Sequence, residues 1–244
     1  MENLLEKYKQ AKNRLILLDY DGTLVDFTPV PEDAVPSIEL KDILLRISST
    51  PNTKLIIISG RNQKDIEKFV GKLPIDIIAE HGAMLKKNGQ WIKQNIDISE
   101  WQEPVLAVLN ATAASCSGSF VEEKTFSLAW HYRNAETGYA QSRKLIRILE
   151  KMNLSYKFKI LDGNKVVEIK SHEIGKGKAA KDIIEKDNYD FILSVGDDQT
   201  DEEMFEFFLN YTDAITIKVG EGNTKAKYRI EYVNNVIGLL NRLL

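Results

Sequence analysis

The sequence is poor in sulfur and in the residues that mark unusual chain classes. Its 244 residues include one cysteine, Cys116, so it can form neither an internal disulfide nor a thiolate zinc cluster. That residue reads as a small packed side chain. There are three histidines, and two of them, His131 and His172, are not spaced as a metal pair and receive no chemistry here. Prolines number six and form no linker, and no internal repeat or low-complexity tract is present. No apolar run approaches the roughly 18 residues of a membrane span. The opening MENLLEKYKQAKNR mixes acid and base and lacks the apolar stretch of a secretory signal, so the expected compartment is the cytoplasm. Charge of one sign is also missing. A net charge of -3 gives no electrostatic reason to expect nucleic acid or an anionic membrane as partner, but a few local cations suffice to hold a small anion.

What the sequence does have is a series of short, largely apolar runs, the first two wholly so, that each end in polar residues or glycine. Leu15–Leu18 ends at Asp19, and Leu55–Ile58 ends at Ser59-Gly60. Ile75–Ala79 ends at Glu80-His81-Gly82, Phe191–Val195 at Gly196-Asp197-Asp198, and Ile215–Val219 at Gly220. Runs of that length suit parallel strands buried on both faces. Helical periodicity falls between most of them, at residues 37–48, 63–70, 177–186 and 200–208, and residues 1–13 read as a short amphipathic helix. The alternation predicts an α/β fold, a Rossmann-like, mostly parallel sheet with helices on both faces. Ligands of such sheets bind outside the carboxyl ends of the strands, where the polar clusters fall.

Residues 99–172 differ in texture. Trp101–Ala114 and Ala140–Met152 look helical, Phe120–Tyr132 alternates as a half-exposed strand pair would, and Asp162-Gly163-Asn164 signals a hairpin. The expected organisation is therefore a core of residues 1–98 and 173–244 carrying an inserted α+β module at 99–172.

Four motifs carry chemistry. In ILLDYDGTL an apolar strand delivers Asp19 and Asp21 to its end, and the two-residue spacing brings both carboxylates to one side of an extended backbone. One carboxylate can attack phosphorus as a nucleophile while its neighbour serves as acid and base. In IIISGR, Ser59 and Gly60 offer a hydroxyl and backbone N–H groups to a phosphoryl group. In EIGKGKAA, Lys176 stands before a helix and can neutralise phosphoryl charge, with Lys178 as a competitor. In SVGDDQTDEEMF, Asp197, Asp198 and Asp201 crowd a strand end and a helix start, a density that a magnesium ion would offset. Taken singly, each has a bland reading: an acidic loop, a helix cap, a surface lysine, an acidic helix start. Their joint occurrence at strand ends does not.

In their order, these motifs resemble the haloacid dehalogenase-like hydrolases. AEHGA (79–83), EEKTFSLAWHYR (122–133), VVEI (166–169) and GDDQTDEEMF (196–205) narrow the resemblance to the trehalose-6-phosphate phosphatases. The resemblance implies hydrolysis of trehalose 6-phosphate with Mg2+ through an aspartyl-phosphate. It makes Asp19 nucleophile and metal ligand, Asp21 acid and base with its carbonyl on the metal, and Asp197 a further ligand supported by Asp198 and Asp201. Ser59, Gly60 and Lys176 would hold the phosphoryl group. The inserted module would be a cap, with Glu122, Lys124, Arg133 and Glu168 on the sugar. Gly175 departs from the family, which commonly has Asn or Asp before the lysine, and this leaves Lys176 and Lys178 as alternatives. The leader and the closing ITIKVG…TKAKY are similar to fused trehalose-phosphate synthase/phosphatases, so the chain reads either as a free enzyme or as one domain of such a fusion. Two other readings stay open: a phosphatase of sucrose 6-phosphate or mannosyl-3-phosphoglycerate, and a catalytically silent domain that senses trehalose 6-phosphate.

Overall fold

The computed structural model describes residues 2–244, and the chain falls into two compact units, Met1–Gln94 with Gly175–Leu244, and Asn95–Ile174. In chain order, α1 (Glu2–Gln10) precedes β1 (Arg14–Leu18), in which Leu15 to Leu18 are wholly buried. Next comes α2 (Ile38–Ser48), whose N-cap Ser37 accepts a hydrogen bond from the Leu40 N–H. It is followed by β2 (Thr53–Ile58), α3 (Gln63–Val70), β3 (Asp76–Ala79), and a hairpin of β4 (Met84–Lys87) and β5 (Gln90–Lys93). The smaller unit contributes α4 (Ser99–Ala114), β6 (Phe120–Glu123), β7 (Ser127–His131), α5 (Gly138–Glu150), β8 (Phe158–Gly163) and β9 (Val166–Ser171). The chain then returns to the larger unit with α6 (Lys176–Ile184), β10 (Phe191–Gly196), α7 (Glu202–Phe207), β11 (Ala214–Val219), β12 (Tyr228–Ile230) and α8 (Val233–Asn241).

The larger unit is an α/β fold around one eight-stranded sheet of order β12-β11-β10-β1-β2-β3-β4-β5, parallel from β12 to β3 and antiparallel at β4 and β5. Largely apolar runs made most of the parallel strands legible because a strand covered on both faces has little room for a polar side. Leu15, Leu17, Ile56, Ile58 and Ile192 pack with Ala179, Ala180 and Ile183 of α6 and Met204 of α7, while the alternate residues Ile16, Leu18 and Ile57 are equally buried. Connections run from β1 towards β3 on one side and from β10 towards β12 on the other. The order therefore reverses between β1 and β10, and such a switch point opens a crevice at the carboxyl ends of the strands. The register pairs Leu18 with both Val195 and Ile57, which brings Asp19, Gly196 and Ile58 level.

The smaller unit is a separate antiparallel sheet of order β6-β7-β9-β8, with α4 and α5 packed on each other and α4 against β6 and β7. Its register sets Glu122 beside Ala129, Ala129 beside Glu168, and Glu168 beside Leu161, so the two glutamates share one face. The hairpin turn lies one residue later than its sequence signal: Gly163 pairs with Val166, and Asn164-Lys165 makes the turn, with Lys165 at φ 64. The apolar-run reading also passes over β4, β5 and β12, which are short and carry polar residues. The β4–β5 turn, Asn88-Gly89 with both residues at positive φ, is nevertheless a strong hairpin signal. Cys116 is buried beside Thr137, and Trp101 and Trp130 are packing residues. Among the described residues, no helix is long and apolar enough to cross a membrane.

Candidate active site

The strand ends at the β1–β10 switch point gather the carboxylates. Asp19 follows β1 directly, and its N–H donates to the Val195 carbonyl at 3.0 Å, which ties the end of β1 to β10. Lys176 opens α6 and is 1% exposed. Its Nζ lies 2.7 Å from Asp19 Oδ1, 2.8 Å from Asp201 Oδ1 and 3.9 Å from Asp198 Oδ1. Lys178, two residues on, is exposed, so the geometry brings Lys176 rather than Lys178 to Asp19. Asp201 Oδ2 accepts from the Asp197 and Asp198 N–H groups at 2.9 and 3.0 Å. Asp198 Oδ1 accepts from Thr200 N–H and Oγ1 and from the Asp201 N–H, which folds the acidic loop onto itself.

Oxygens of Asp19, Asp197 and Asp201 lie within 4.8 Å of one another. Burial raises Asp19 well above its ordinary carboxylate range; Lys176 opposes the shift, and Asp197 and Asp198 add to it. Burial, then Asp201 and Asp198, push Asp197 up to about 7. Lys176 stays an ammonium, because Asp19, Asp201 and Asp198 outweigh the burial that disfavours its charge. Four carboxylates thus share one ammonium, and the surplus negative charge calls for a cation. The donor set consists of hard carboxylate oxygens, as a magnesium ion requires. Both Asp201 oxygens are already taken by Lys176 and two N–H groups, so Asp19 and Asp197 have the capacity to ligate and Asp201 fixes the frame around them.

On the other side of β1, Ser59 follows the last residue of β2 and is 1% exposed. Its N–H donates to the Ile78 carbonyl at 2.8 Å, and its Oγ accepts from the Arg61 N–H at 3.1 Å. Those two N–H groups are committed within the protein, and the helix that follows is capped by Asn62 instead of Ser59. A Cβ at Gly60 would sit 2.5 Å from His81 Cε1, so only glycine lets the histidine ring lie against this loop. Glu80 and His81 both have positive φ, 49° and 57°, and their N–H groups donate to the Arg61 and Ser59 carbonyls. Backbone strain of that kind concentrates at functional sites.

In the smaller unit, Glu168 Oε1 accepts from Lys124 Nζ at 3.1 Å and from Ser127 Oγ at 2.7 Å. Glu122 Oε2 lies 2.8 Å from His131 Nε2. Arg133 is exposed and donates to the Asn164 carbonyl at 3.2 Å. A polar groove of about 840 Å³ lies at the opposite, amino ends of β1, β2 and β3, but Lys54, one of its lining residues, is already paired with Asp76 and Asp187.

The trehalose-phosphatase family pattern matches residues 17–233. The chain belongs to the trehalose-phosphatase family. A bifunctional trehalose-6-phosphate synthase/phosphatase of Thermoproteus tenax is 38% identical over 246 residues, covering 100% of this chain and 33% of the relative. A UDP-forming alpha,alpha-trehalose-phosphate synthase B of Dictyostelium discoideum is 37% identical over 250 residues, covering 99% and 32%. The chain therefore spans about a third of the length of these relatives. The solved C-terminal domain of a C. albicans trehalose-6-phosphate phosphatase superposes with a TM-score of 0.91 at 30% identity, covering 99% of this chain and 95% of that one.

Against the motifs of this trehalose-phosphatase family member, three side chains stand out: Arg61 and His131, which the sequence did not single out for a role, and His81, which its His-Gly pattern offered either as a site-lining or as a packed strand-end residue. Arg61 grips Asp21, His81 packs on Gly60, and His131 bonds Glu122. Arg61 had a signal, since it closes the strand-end tripeptide Ser-Gly-Arg. His131, the last residue of β7, had only its two-residue offset from Arg133.

Proposed function

We propose that the chain is a magnesium-dependent phosphatase that hydrolyses trehalose 6-phosphate to trehalose and phosphate through an aspartyl-phosphate on Asp19. The observation that carries this reading is the buried Lys176–Asp19 contact at 2.7 Å, with Asp197 alongside at the same strand ends. Degenerate domains would be expected to lose one of these groups, and Asp19, Asp21, Lys176 and Asp197 are all present. Asp19 attacks phosphorus, and the bond from phosphorus to the sugar oxygen breaks as Asp21 gives that oxygen its proton. Asp21, now a carboxylate, takes a proton from water as the water's oxygen attacks phosphorus. The Asp19–phosphorus bond then breaks and phosphate leaves. Lys176, with Ser59 and Gly60, holds the phosphoryl oxygens. Mg2+, held by Asp19, Asp197 and the Asp21 carbonyl, would neutralise charge on the transferred oxygens. Asp198 and Asp201 hold the ligand loop in shape.

We assign the catalytic core to residues 1–98 and 173–244, and a cap that selects substrate to residues 99–172. In the cap, Glu122, Lys124, Arg133 and Glu168 contact the sugar, whose hydroxyls suit charged partners. The reaction belongs in the cytoplasm, with a trehalose-phosphate synthase domain as the fused or associated partner.

A second reading has one observation in its favour: the Dictyostelium relative is named for the synthase activity alone. On that reading the domain binds trehalose 6-phosphate without turnover. The test is phosphate release from trehalose 6-phosphate, sucrose 6-phosphate, mannosyl-3-phosphoglycerate and glucose 6-phosphate, each with Mg2+ and with chelator. Mg2+-dependent release from trehalose 6-phosphate about 100-fold faster than from the others, some 2.7 kcal/mol of discrimination, is expected. Faster release from another sugar phosphate would keep Asp19 and overturn the cap assignment. Binding without release would favour the sensing domain.

A further inference from the structure

Asp21 and Arg61 meet beside the ends of β1 and β2. Arg61 Nε donates to Asp21 Oδ2 at 2.7 Å and Nη2 donates to Oδ1 at 2.6 Å, so one guanidinium takes both carboxylate oxygens. The Arg61 side chain is 10% exposed, against 27% for Asp21. Its guanidinium carbon lies 5.0 Å from the centre of the Phe69 ring and 5.6 Å from that of Tyr20, and these two rings stack with planes 7° apart. Its main chain is fixed as well: the N–H donates to Ser59 Oγ and the carbonyl accepts from the Glu80 N–H. Arg61 is therefore held along its whole length, and the half-buried carboxylate is the looser partner.

We infer that Arg61 is the positioning residue of Asp21: it aims the carboxylate that gives and takes the proton, and it does so without touching the phosphoryl group itself. The inference rests on the reading of Asp21 as acid and base. An acid must sit within hydrogen-bond reach of the oxygen it serves, and a misplacement of about 1 Å costs on the order of 100-fold in rate. Asp21 lies beyond the end of β1, in a turn where its side chain is not packed into the core, so a rotamer fixed by burial alone is not available to it. The two-pronged pair supplies that constraint. Because Arg61 is already stacked on Phe69 and Tyr20, little further side-chain entropy is lost in making it. Lysine in its place would keep the charge and lose the fork.

The test compares Arg61→Ala, Arg61→Lys, Asp21→Asn and the Asp21→Asn/Arg61→Ala double variant. Two substrates are used, trehalose 6-phosphate and p-nitrophenyl phosphate, whose leaving group needs no proton. Arg61→Ala should lower the single-turnover rate of phosphoryl transfer from trehalose 6-phosphate about 100-fold with KM within about twofold, and lower the burst of p-nitrophenol release far less, while steady-state turnover of both substrates falls because hydrolysis of the shared aspartyl-phosphate also needs Asp21. Arg61→Lys, which retains the charge and most of the bulk, should also be impaired, and added guanidinium ion should restore part of the Arg61→Ala rate. In the Asp21→Asn background the loss of Arg61 should cost nothing more, because residues that act as one unit are not additive. A further loss there, or a KM rise about as large as the fall in kcat, would make Arg61 a phosphate ligand and overturn the inference alone. If Asp21→Asn keeps the parental rate, the reading of Asp21 itself fails.

Discussion

Lys176 Nζ donates to Asp201 Oδ1 at 2.8 Å, and neither side chain has appreciable contact with solvent. Because Asp201 Oδ2 accepts from the Asp197 and Asp198 N–H groups, the contact links the ammonium that faces Asp19 to the backbone that carries Asp197. Removing the carboxylate by Asp201→Ala leaves two N–H groups without their acceptor and takes one of the ammonium's partners. The expected cost is about 3 kcal/mol. At roughly 2 to 4 °C per kcal/mol for a chain of this size, the thermal midpoint should fall by about 6 to 12 °C. Circular dichroism would read it, and a midpoint within a degree of the parent's would mean that the link bears no load.

Gly22 stands at φ 78, where an L side chain is strained, and a Cβ there would lie 2.3 Å from Asp197 Oδ2. The atom it would strike is the end of a side chain, so Asp197 would be displaced while the sheet beneath stays intact. Gly22→Ala should therefore weaken Mg2+ dependence by about 10- to 100-fold, the usual cost of disturbing a ligand's support. Phosphate release titrated against Mg2+ measures this. Unchanged Mg2+ dependence would remove Asp197 from the ligand set.

The order of elements and the carboxylate-bearing strand ends were legible because burial on both faces leaves a strong mark in sequence. Leu15–Leu18 is apolar throughout and Phe191–Gly196 is interrupted only by the buried Ser194, and the first aspartates after them fall where the chain must leave the sheet. What could not be read was who meets whom. Asp21 finds Arg61 among 33 lysines and arginines only because β1 and β2 pair in a particular register. The choice between Lys176 and Lys178 is one of helix phase. Two residues are about 200° apart around an α-helix, so only one can face Asp19, and which one depends on where α6 begins. The edge strands β4, β5 and β12 are short and mix polar with apolar residues, so the pattern that marks the centre of the sheet is missing there.

The acidic cluster also predicts how stability follows pH. Asp197 titrates near 7 when folded against 3.8 as a free side chain, with burial as the main cause and Asp201 and Asp198 adding to it. Between those values the folded chain holds a proton that the unfolded chain has lost, so stability falls as pH rises through that window. Asp97 and Asp190 are shifted down, and the stability they contribute is already complete above their unfolded range. In chelator, the thermal midpoint should therefore drop between about pH 5 and pH 8. Added Mg2+ should raise the midpoint more at the higher pH, where it no longer competes with a proton. A midpoint that climbs with pH in chelator would contradict the assignment.

His131 gives the cap a test of its own. Its Nε2 lies 2.8 Å from Glu122 Oε2, and its ring stacks on Phe120 with centres 4.8 Å apart. The hydrogen bond from His131 is the main cause holding Glu122 below its ordinary range, outweighing burial. If Glu122 binds a sugar hydroxyl, the imidazole fixes where its carboxylate points. His131→Ala should then raise KM for trehalose 6-phosphate about tenfold with kcat nearly unchanged, because binding common to the ground and transition states is lost. His131→Gln, with an amide able to donate to the same carboxylate, should recover part of that loss. Hydrolysis of p-nitrophenyl phosphate, which has no sugar to read, should be unaffected by either change. Equal losses on both substrates would mean that His131 supports the fold of the smaller sheet instead of the recognition of a sugar by Glu122.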